Sequence, residues 1–446
     1  MTDTIFALAT AAGRAAVAIL RISGTRARET LSHLAGAAPA PRKATLAILR
    51  DASGAEMDRA LVLWFPGPRS YTGEDCAELH LHGGVGVVDS VTATLLTLGL
   101  RLAEPGEFTR RAFENGKLDL SQAEAVADLV DAQSAVQARQ ALGQLEGRLG
   151  ARYQAWREDL LESLARLEAA VDFADEPVPP EIAQEARETL TRMTASLEAA
   201  LEDAPRGRRV REGYKVAVIG APNAGKSSLI NKLTGREVAI VTPIAGTTRD
   251  VIEAQMTMAG YQVLLADTAG LRTTGDIIEL EGVRRARSWA ERADLRLWVV
   301  DRATGDGAWR IAEDLVRPGD ICLLNKADLV PGSDAGGARE AAMDRGATVL
   351  ETSVLSDGVG PLAALLADRV ARDLSSADFP AATRERHTLV LREARDHLVR
   401  ALDQLGEPEL AAEDVRLGAR ALARITGRID AEDILGRVFS TFCIGK

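Results

Sequence analysis

Residues 215–235 read KVAVIGAPNAGKSSLINKLTG, and this stretch decides the fold of the chain around it. The segment KVAVIG predicts a strand, and SSLINKLTG predicts a helix. Between them, residues 220–227 fit the phosphate-loop pattern G-x-x-x-x-G-K-[ST], whose glycines let backbone N–H groups surround a phosphate at a helix N-terminus. We expect Lys226 to reach the outer phosphates and Ser227 to supply an oxygen to Mg²⁺.

Three further segments follow the phosphate loop in the order that a guanine-nucleotide site requires. Asp267 ends the apolar run VLLA and is expected to hold Mg²⁺ through water, while Gly270 allows close approach to the γ-phosphate. Thr248, in the segment GTTRD, is the candidate second Mg²⁺ ligand. Asp328, in the segment NKAD, can accept hydrogen bonds from guanine N1 and N2, whereas adenine offers no matching pair of donors. The four segments together predict GTP binding.

The sequence predicts three domains, one of which interrupts another. Residues 1–118 alternate short strands and helices, which is an α+β pattern. Residues 119–212 and 373–446 carry apolar residues at helical spacing and predict one all-α bundle. Residues 213–372 alternate strands, helices and Gly-rich turns, which is typical of an α/β P-loop (Ras-like) domain. The nucleotide-binding domain is therefore expected to be inserted into the helical one.

The helical part leaves its own boundaries open. A continuous helix of about fifty residues from Ser121 would span ~75 Å. Three glycines are candidate breaks in it: Gly143, Gly147 and Gly150. A second helix is predicted at roughly 181–204. Four arginines follow it, which predict a linker beside an acidic helix or, alternatively, a contact with tRNA: Arg206, Arg208, Arg209 and Arg211.

Composition limits the class of protein. The 446 residues carry 54 Lys and Arg against 65 Asp and Glu, so the net charge is −11 and any nucleic acid must meet local basic patches. No uncharged apolar stretch reaches the ~18 residues of a membrane span. The N-terminus lacks the basic region of a signal peptide, and three distant cysteines argue against a disulfide framework. These features predict a soluble, cytoplasmic protein.

Four segments make the chain similar to the bacterial tRNA-modification GTPases of the MnmE (TrmE) family: PNAGKSSLIN, IAGTTRD, DTAGLR and the C-terminal FCIGK. The resemblance covers the whole chain, and Cys-Ile-Gly-Lys is its most specific part. The chain departs from the usual family pattern where Ala11-Ala12 and Ala15-Ala16 replace Pro-Pro and Gly-Gly, and where Ala221 replaces Arg. None of these changes removes a functional group on which the prediction depends.

The resemblance implies a specific reaction. With a flavin-dependent partner of the MnmG (GidA) type, which carries FAD, the family adds a carboxymethylaminomethyl group to C5 of the wobble uridine of certain tRNAs. The one-carbon unit comes from a tetrahydrofolate derivative, 5-formyl- or 5,10-methylene-tetrahydrofolate. The resemblance also implies a homodimer formed by the folate-binding N-terminal domain, and a heterotetramer with the flavoprotein.

Carried over onto this sequence, the resemblance gives four folate contacts: Arg21, Glu78, Lys117 and Lys446. A carboxylate suits the donor edge of a pterin, and cations suit the anionic glutamate tail. The predicted nucleotide contacts are Asn223, Ala224, Gly225, Lys226, Ser227, Ser228, Thr242, Pro243, Ile244, Ala245, Gly246, Thr247, Thr248, Asp267, Thr268, Ala269, Gly270, Asn325, Lys326, Ala327 and Asp328. Cys443 keeps three open roles: a buried apolar residue, a catalytic thiol or a structural contact near the folate.

Hydrolysis needs an unusual arrangement, because Leu271 stands where many GTPases place a water-orienting Gln. The family's potassium-dependent pairing of GTPase domains implies that K⁺ takes the place of an arginine finger. Its predicted ligands are Asn223, Thr242, Ile244 and Thr247. Glu279 is the acidic residue that the resemblance points to for orienting the water.

A different class of function remains as the alternative. Regulatory GTPases that bind RNA or the ribosome carry out no modification chemistry, and many append a KH domain whose GXXG loop grips the RNA backbone. No GXXG occurs after residue 372. Binding of folate by residues 1–118 would distinguish the two classes, because only the modification enzyme predicts it.

Overall fold

The computed structural model describes residues 3–172, 180–235, 254–267, 277–303, 307–330, 337–356, 358–427 and 432–440, together with Phe442 and Gly445. The chain forms two compact units. The first unit comprises Met1–Val130, Ala141–Glu198 and Leu389–Lys446, and the second comprises Asp131–Gln140 and Ala199–Thr388. The domain boundaries predicted after residues 118, 212 and 372 remain predictions, since compact units are defined by contact rather than by independent folding.

A six-stranded sheet organises the N-terminal part of the first unit. Its strands are β1 (Ile5–Leu8), β2 (Val17–Ser23), β3 (Thr45–Arg50), β4 (Glu56–Phe65), β5 (Cys76–His82) and β6 (Arg101–Leu102). The order is β3-β4-β5-β2-β1-β6, antiparallel except for the parallel pair β1–β6. Helices α1 (Ala27–Ala35), α2 (Val85–Thr97) and α3 (Glu107–Glu114) accompany it. The α+β prediction is confirmed.

Alternation along these strands decides which face forms the core. Leu20 and Ile22 of β2, with Leu79 and Leu81 of β5, are fully buried together with residues of α1 and α2. Because successive side chains point to opposite faces, the polar residues between them lie on the other face of the sheet. That second face carries the candidate folate residues described below.

The helical part of the first unit has several separate helices rather than one continuous helix from Ser121. Its elements are α4 (Leu120–Asp131), α5 (Ala135–Leu145), α6 (Arg148–Asp172), α7 (Pro180–Glu212), α12 (Glu385–Asp403), α13 (Pro408–Ala423) and α14 (Glu432–Phe439), of which α4, α5, α7 and α12 include residues of the second unit. The break after α5 falls at Gly147, whose φ of +87° is left-handed and favours glycine. Gly143 and Gly150 instead lie inside helices.

Packing between these helices supports the predicted bundle. Helix α6 packs against α13, and Arg416 on α13 forms an ion pair of 2.7 Å with Glu168 on α6. Between α6 and α7, the indole N–H of Trp156 donates to Ser196 Oγ over 3.1 Å. Described residues of the C-terminal tail are also packed: Phe439 and Phe442 are buried beside Ala123.

Helix α7 continues eight residues beyond the predicted end, so the linker predicted for the arginine cluster is wrong. The arginines lie in the last turns of the helix, where the negative end of the helix dipole stabilises cations. All four form ion pairs: Arg206 with Asp203, Arg208 with Glu385, Arg209 with Asp294 and Arg211 with Glu212. Arg211 also donates to the Thr383 carbonyl.

The second unit has a six-stranded sheet of order β12-β11-β10-β7-β9-β8. The strands are β7 (Tyr214–Ile219), β8 (Ala254–Met258), β9 (Tyr261–Asp267), β10 (Leu295–Asp301), β11 (Ile321–Asn325) and β12 (Thr348–Glu351). Only β8 runs antiparallel. Connecting helices are α8 (Lys226–Thr234), α9 (Ile277–Arg292), a 3-10 helix (Ala308–Leu315), α10 (Ala338–Asp344) and α11 (Gly360–Leu374). The α/β prediction is confirmed.

Apolar clusters cover both faces of this sheet, as a parallel sheet requires. Its functional groups are consequently expected at strand ends rather than on strand faces. Within the described residues, no helix combines the length and apolar character that a membrane crossing requires.

Candidate nucleotide-binding site

The phosphate loop joins the end of β7 to the start of α8 and depends on two glycines. Gly220 has a φ of +145°, and a Cβ there would lie 2.2 Å from the Val299 carbonyl oxygen. Gly225 has a φ of +102°, and a Cβ there would lie 2.3 Å from Asn325 Nδ2. Both positions therefore require glycine for backbone conformation and for space.

Lys226 places a cation inside this loop. Its side chain is 6% exposed, and Nζ donates to the carbonyl oxygens of Gly220 at 3.1 Å and Ala221 at 2.9 Å. These contacts hold the ammonium group at the first turn of α8, where the helix N-terminus already favours an anion. A phosphate bound there would contact both the Lys226 ammonium group and the N-terminus of α8.

The next feature is a carboxylate and hydroxyl pair. Ser227 Oγ donates to Asp267 Oδ2 at 2.9 Å, and Asp267 is buried at the end of β9. The other oxygen, Asp267 Oδ1, has no hydrogen-bond partner among the residues that the structure describes. A buried unpaired carboxylate oxygen is costly, and carboxylate and hydroxyl oxygens are the ligands that Mg²⁺ prefers. The donor set therefore fits Mg²⁺.

Asn325 connects the phosphate loop to the segment that follows β12. Its Nδ2 donates to the Ala224 carbonyl at 2.8 Å, and its Oδ1 accepts from the Val354 N–H at 3.0 Å. Both contacts are buried. One side chain thus fixes the position of the phosphate loop relative to the segment that follows β12.

Asp328 lies three residues after Asn325, in the loop that follows β11, and it is exposed. Its Oδ2 accepts from Ser356 Oγ at 3.1 Å. Hydrogen bonding from Ser353 lowers the pKa of the Asp328 carboxyl below its ordinary value. The carboxylate is therefore ionised and oriented at neutral pH. Sequence reasoning missed Ser356, which the Ser-x-x-Ser spacing of SVLS places on the same turn as Ser353.

Several predicted residues lie outside the described part of the chain: Thr242, Pro243, Ile244, Ala245, Gly246, Thr247, Thr248, Thr268, Ala269, Gly270, Cys443 and Lys446. Glu279 belongs to α9, but its side chain is also outside the description. Asn223 is exposed in the phosphate loop, with a left-handed φ of +62°. Ser228 is exposed on α8, and the Ala327 N–H donates to the Thr352 carbonyl at 3.4 Å.

A second candidate site lies on the sheet of the first unit. Arg21 of β2 and Glu78 of β5 are directly opposite in register, and Arg21 Nη2 lies 3.0 Å from Glu78 Oε1. Their side chains are 24% and 19% exposed. The guanidinium carbon lies 5.2 Å from the ring centre of Tyr71, and His80 Nε2 lies 3.3 Å from Glu78 Oε2.

The structure brings Lys117 toward the same part of the first unit without direct contact to that pair. Lys117 is exposed, and its Nζ donates to the Pro68 carbonyl at 3.2 Å, in the connection that also carries Tyr71. Glu78 still has room for a ligand, because a carboxylate can accept about four hydrogen bonds. The cluster thus offers an acceptor and cations around an aromatic ring, which fits the chemistry of a folate.

The second unit has the fold of a P-loop GTP-binding protein, because its mainly parallel sheet carries the phosphate loop between β7 and α8, and Asn325 joins that loop to the segment after β12. Two family models match the chain: "GTP-binding protein TrmE N-terminus" over residues 4–117 and "MnmE helical domain" over residues 120–443. The chain belongs to the MnmE family of tRNA modification GTPases.

Individual relatives match over the full length. Proteins named tRNA modification GTPase MnmE from Caulobacter vibrioides and Phenylobacterium zucineum are each 58% identical, with 100% of both chains covered. The relative from Maricaulis maris is 49% identical over the same share. Among solved structures, the G domain of the T. maritima FeoB iron transporter is 26% identical over 36% of this chain and 99% of its own, with a TM-score of 0.28.

Proposed function

We propose that this chain hydrolyses GTP at the phosphate loop and uses that cycle in modifying the wobble uridine of tRNA. The observation that carries the nucleotide part is the junction at Asn325, which holds the phosphate loop and the base-contacting loops together. Full-length similarity to proteins named tRNA modification GTPase supports the tRNA part. The proposed product carries a carboxymethylaminomethyl group at C5.

Within the proposed nucleotide site, each described side chain has one task. Lys226 binds the outer phosphates, and Asp328 accepts from guanine N1 and N2. Ser227 and Asp267 would hold Mg²⁺, with Thr248 as the second proposed ligand. A bound Mg²⁺ supplies positive charge against the phosphate oxygens. Discrimination against adenine follows because a carboxylate that the bound base covers and leaves unpaired costs affinity.

Potassium dependence is a separate part of the proposal. Asn223 would bind K⁺ together with the predicted partners Thr242, Ile244 and Thr247, and Glu279 would orient water. A cation in the place of an arginine finger is worth about 10³–10⁵ in rate. Hydrolysis should be fast in K⁺ and slow in Na⁺, and Asn223→Ala should abolish the difference while nucleotide binding persists. Equal rates in the two salts would contradict the potassium site.

The proposed folate site consists of Arg21, Glu78, Lys117 and Lys446. The supporting observation is the half-buried Arg21–Glu78 pair beside Tyr71, since a carboxylate can accept from a pterin edge and cations can bind an anionic tail. We further propose a homodimer and a flavoprotein partner of the MnmG type, which would bring FAD to the reaction.

Cys443 has two proposed roles that one substitution separates. Gly445 lies against Leu8 and Ala9, so the described end of the tail is packed near β1. Replacement of Cys443 by Ser keeps size but removes thiol chemistry. Loss of tRNA modification with an unchanged melting temperature would assign a catalytic thiol, and retained modification would assign a packing role.

Nucleoside analysis of tRNA tests the whole proposal. Cells lacking this protein should lose the modified wobble uridine, the wild-type gene should restore it, and Lys226→Ala should not. Lys215→Ala is a matched control, because Lys215 is paired with Glu212 at the opposite end of β7. Unchanged tRNA in the deletion strain would contradict the proposal and favour an RNA- or ribosome-binding regulatory GTPase.

A further inference from the structure

An ion pair lies between the ends of two neighbouring strands of the parallel sheet. Asp301 is the last residue of β10 and is directly paired in register with Asn325, the last residue of β11. The next residue, Lys326, extends its side chain back across this gap. Its Nζ lies 2.6 Å from Asp301 Oδ2.

Both partners are shielded from water, the carboxylate more than the cation. The Asp301 side chain is 10% exposed and that of Lys326 is 31% exposed. Asp301 Oδ1 also accepts from the Ala303 N–H at 2.9 Å, so the chain after β10 orients the carboxylate. Removal of Lys326 takes the countercharge from a largely buried carboxylate, and removal of Asp301 releases the Lys326 ammonium group, so the two side chains depend on each other.

The position of Lys326 in the chain gives this pair a consequence for the nucleotide. Asn325 on one side is fixed to the phosphate loop, and Asp328 lies two residues beyond on the other side. Lys326 itself has a left-handed φ of +59°, which is uncommon for a residue with a side chain. The chain turns directly after Lys326, where the Leu329 N–H donates to the Lys326 carbonyl at 3.1 Å, so the turn includes Asp328, one of the two groups proposed to bind GTP.

The ion pair also fixes the path of the Lys326 side chain. Lysine has a flexible four-carbon stem that ordinarily samples many rotamers in water. Held at its Nζ by Asp301, the stem spans the gap between β10 and β11 as a stretch of apolar surface beside the base-contacting loop. Pre-organised surface of this kind lowers the ordering cost of binding a ligand.

We infer that Asp301 is a positioning residue for guanine-nucleotide binding, which acts by holding the stem and the left-handed backbone of Lys326. This inference rests on the proposed GTP site. Asp301 does not itself touch the nucleotide in this scheme, so its effect must pass through Lys326. Loss of Asp301 should weaken binding and leave hydrolysis of bound GTP nearly unchanged.

A double-mutant cycle on fluorescently labelled GDP tests this route. Asp301→Asn should weaken binding about tenfold in the wild-type background, because the Lys326 stem must then be ordered when the nucleotide binds. In a Lys326→Met background the same substitution should change affinity less than about twofold, because the partner is already gone. Equal losses in both backgrounds would overturn the inference and assign Asp301 a general structural role.

Steady-state kinetics gives the second readout. Asp301→Asn should raise KM about tenfold and leave kcat within about twofold of wild type, since the pair is made before and after chemistry alike. A fall in kcat with an unchanged KM would overturn the inference. If Asp301→Asn does not fold, Asp301→Glu keeps the charge but displaces it, and it should weaken binding by an intermediate amount. Wild-type affinity in Asp301→Glu would overturn the inference in that case.

Glu212→Gln is the matched control, because Glu212 pairs with Lys215 over 3.1 Å in the same unit, at the other end of the sheet. It should bind labelled GDP like wild type. Failure of this inference and failure of the proposed GTP site give different results. If the wild-type chain and Asp301→Asn bind labelled GDP with equal affinity, only the role of Asp301 is overturned. If the wild-type chain binds no GDP, the proposed GTP site is overturned as well.

Discussion

The two sheets of this protein place their candidate functional groups in opposite ways. In the parallel sheet, Lys226, Asn325 and Asp328 lie at or beyond strand ends, because both faces are covered by apolar clusters. In the mainly antiparallel sheet, Arg21 and Glu78 lie in the middle of strands and meet across the register on one face. A covered sheet therefore moves its chemistry to loops, while a half-covered sheet can keep it on the surface of the sheet.

This difference also sets what holds each site in place. In the loops, hydrogen bonds to backbone groups hold the site: Asn325 donates to the Ala224 carbonyl and accepts from the Val354 N–H. On the sheet face, side chains hold each other, as Arg21 does with Glu78. The loop site should consequently respond most to changes in backbone freedom, and the face site to changes in charge.

Gly225→Ala should have the largest effect, because it disturbs the loop site at its backbone. A left-handed alanine costs about 1–2 kcal/mol. Its Cβ would also lie 2.3 Å from Asn325 Nδ2 and disrupt the two hydrogen bonds of that side chain. Together we expect about 3–6 kcal/mol of lost GDP affinity, measured by calorimetry.

Gly337→Ala is the control that separates strain from steric overlap. Gly337 has a similar left-handed φ of +89°, but a Cβ there would meet nothing within 4 Å. It should lower the melting temperature slightly and leave GDP affinity intact. Equal affinity losses in the two variants would contradict the role assigned to the contact with Asn325.

Asp328→Asn tests base recognition at the same loop. The new amide should weaken GTP binding by about 2–5 kcal/mol and favour xanthosine triphosphate, whose C2 carbonyl accepts from the amide. Competition between the two nucleotides measures this exchange. Because the pKa of Asp328 is lowered, its carboxylate stays ionised from pH 7 down to pH 5. Unchanged GTP affinity would remove Asp328 from the base-contacting position.

Arg21→Ala and Glu78→Ala apply the corresponding test to the face site. Each should weaken folate binding by about 1.5–3 kcal/mol, the value of a charged hydrogen bond, and leave GTP turnover unchanged. Calorimetry with a tetrahydrofolate derivative measures the loss. Arg59→Ala is the matched control, since Arg59 forms an exposed pair with Glu56 on the same sheet. Full folate affinity in both variants would mean that the site is misplaced.

The nucleotide loops were the easier site to predict, because their residues are close in sequence and their spacing is fixed by the phosphate and the base. The strand before the phosphate loop and the helix after it were both predicted. Ser356 was missed, because its contact with Asp328 joins loops 28 residues apart. Asp301 was missed for the same reason, since only the register of β10 and β11 places it beside Lys326.

The sheet-face site depends more on register than on any motif. The alternating pattern around Glu78 does not predict that Arg21 lies opposite it; only the resemblance to the MnmE family indicated that the two residues share a site. Glycine positions in the helical part show a similar limit: Gly147 lies in the break after α5, whereas Gly150 lies inside α6, where a Cβ would lie 2.6 Å from Asp119 Oδ2. Composition alone does not separate a glycine that breaks a helix from one that allows close packing.

The smallest expected effect concerns a buried charge network that joins distant parts of the first unit. Glu107 on α3 accepts from Arg101 at 2.7 Å and from Arg111 at 2.9 Å, and it is 6% exposed. Burial alone would raise the pKa of Glu107, but hydrogen bonds from Arg101, the Glu104 N–H and Arg111 lower it overall. The folded state therefore favours the ionised carboxylate.

Glu107→Gln should cost about 1–2 kcal/mol of stability at pH 7, a modest value because Arg101 and Arg111 both keep Asp3 as a partner. A lowered pKa in the folded state gives stability that is present above the ordinary pKa of 4.5 and is lost as pH falls below it. The difference in stability between wild type and Glu107→Gln should hence disappear below about pH 4.5. Hydrogen exchange of β1 and α3 amides measures this difference in the full chain. Glu114→Gln, on the same helix but in an exposed pair with Arg110, should change stability by less than about 1 kcal/mol at any pH. A gap that stays constant down to pH 3 would mean that Glu107 acts by packing rather than by charge.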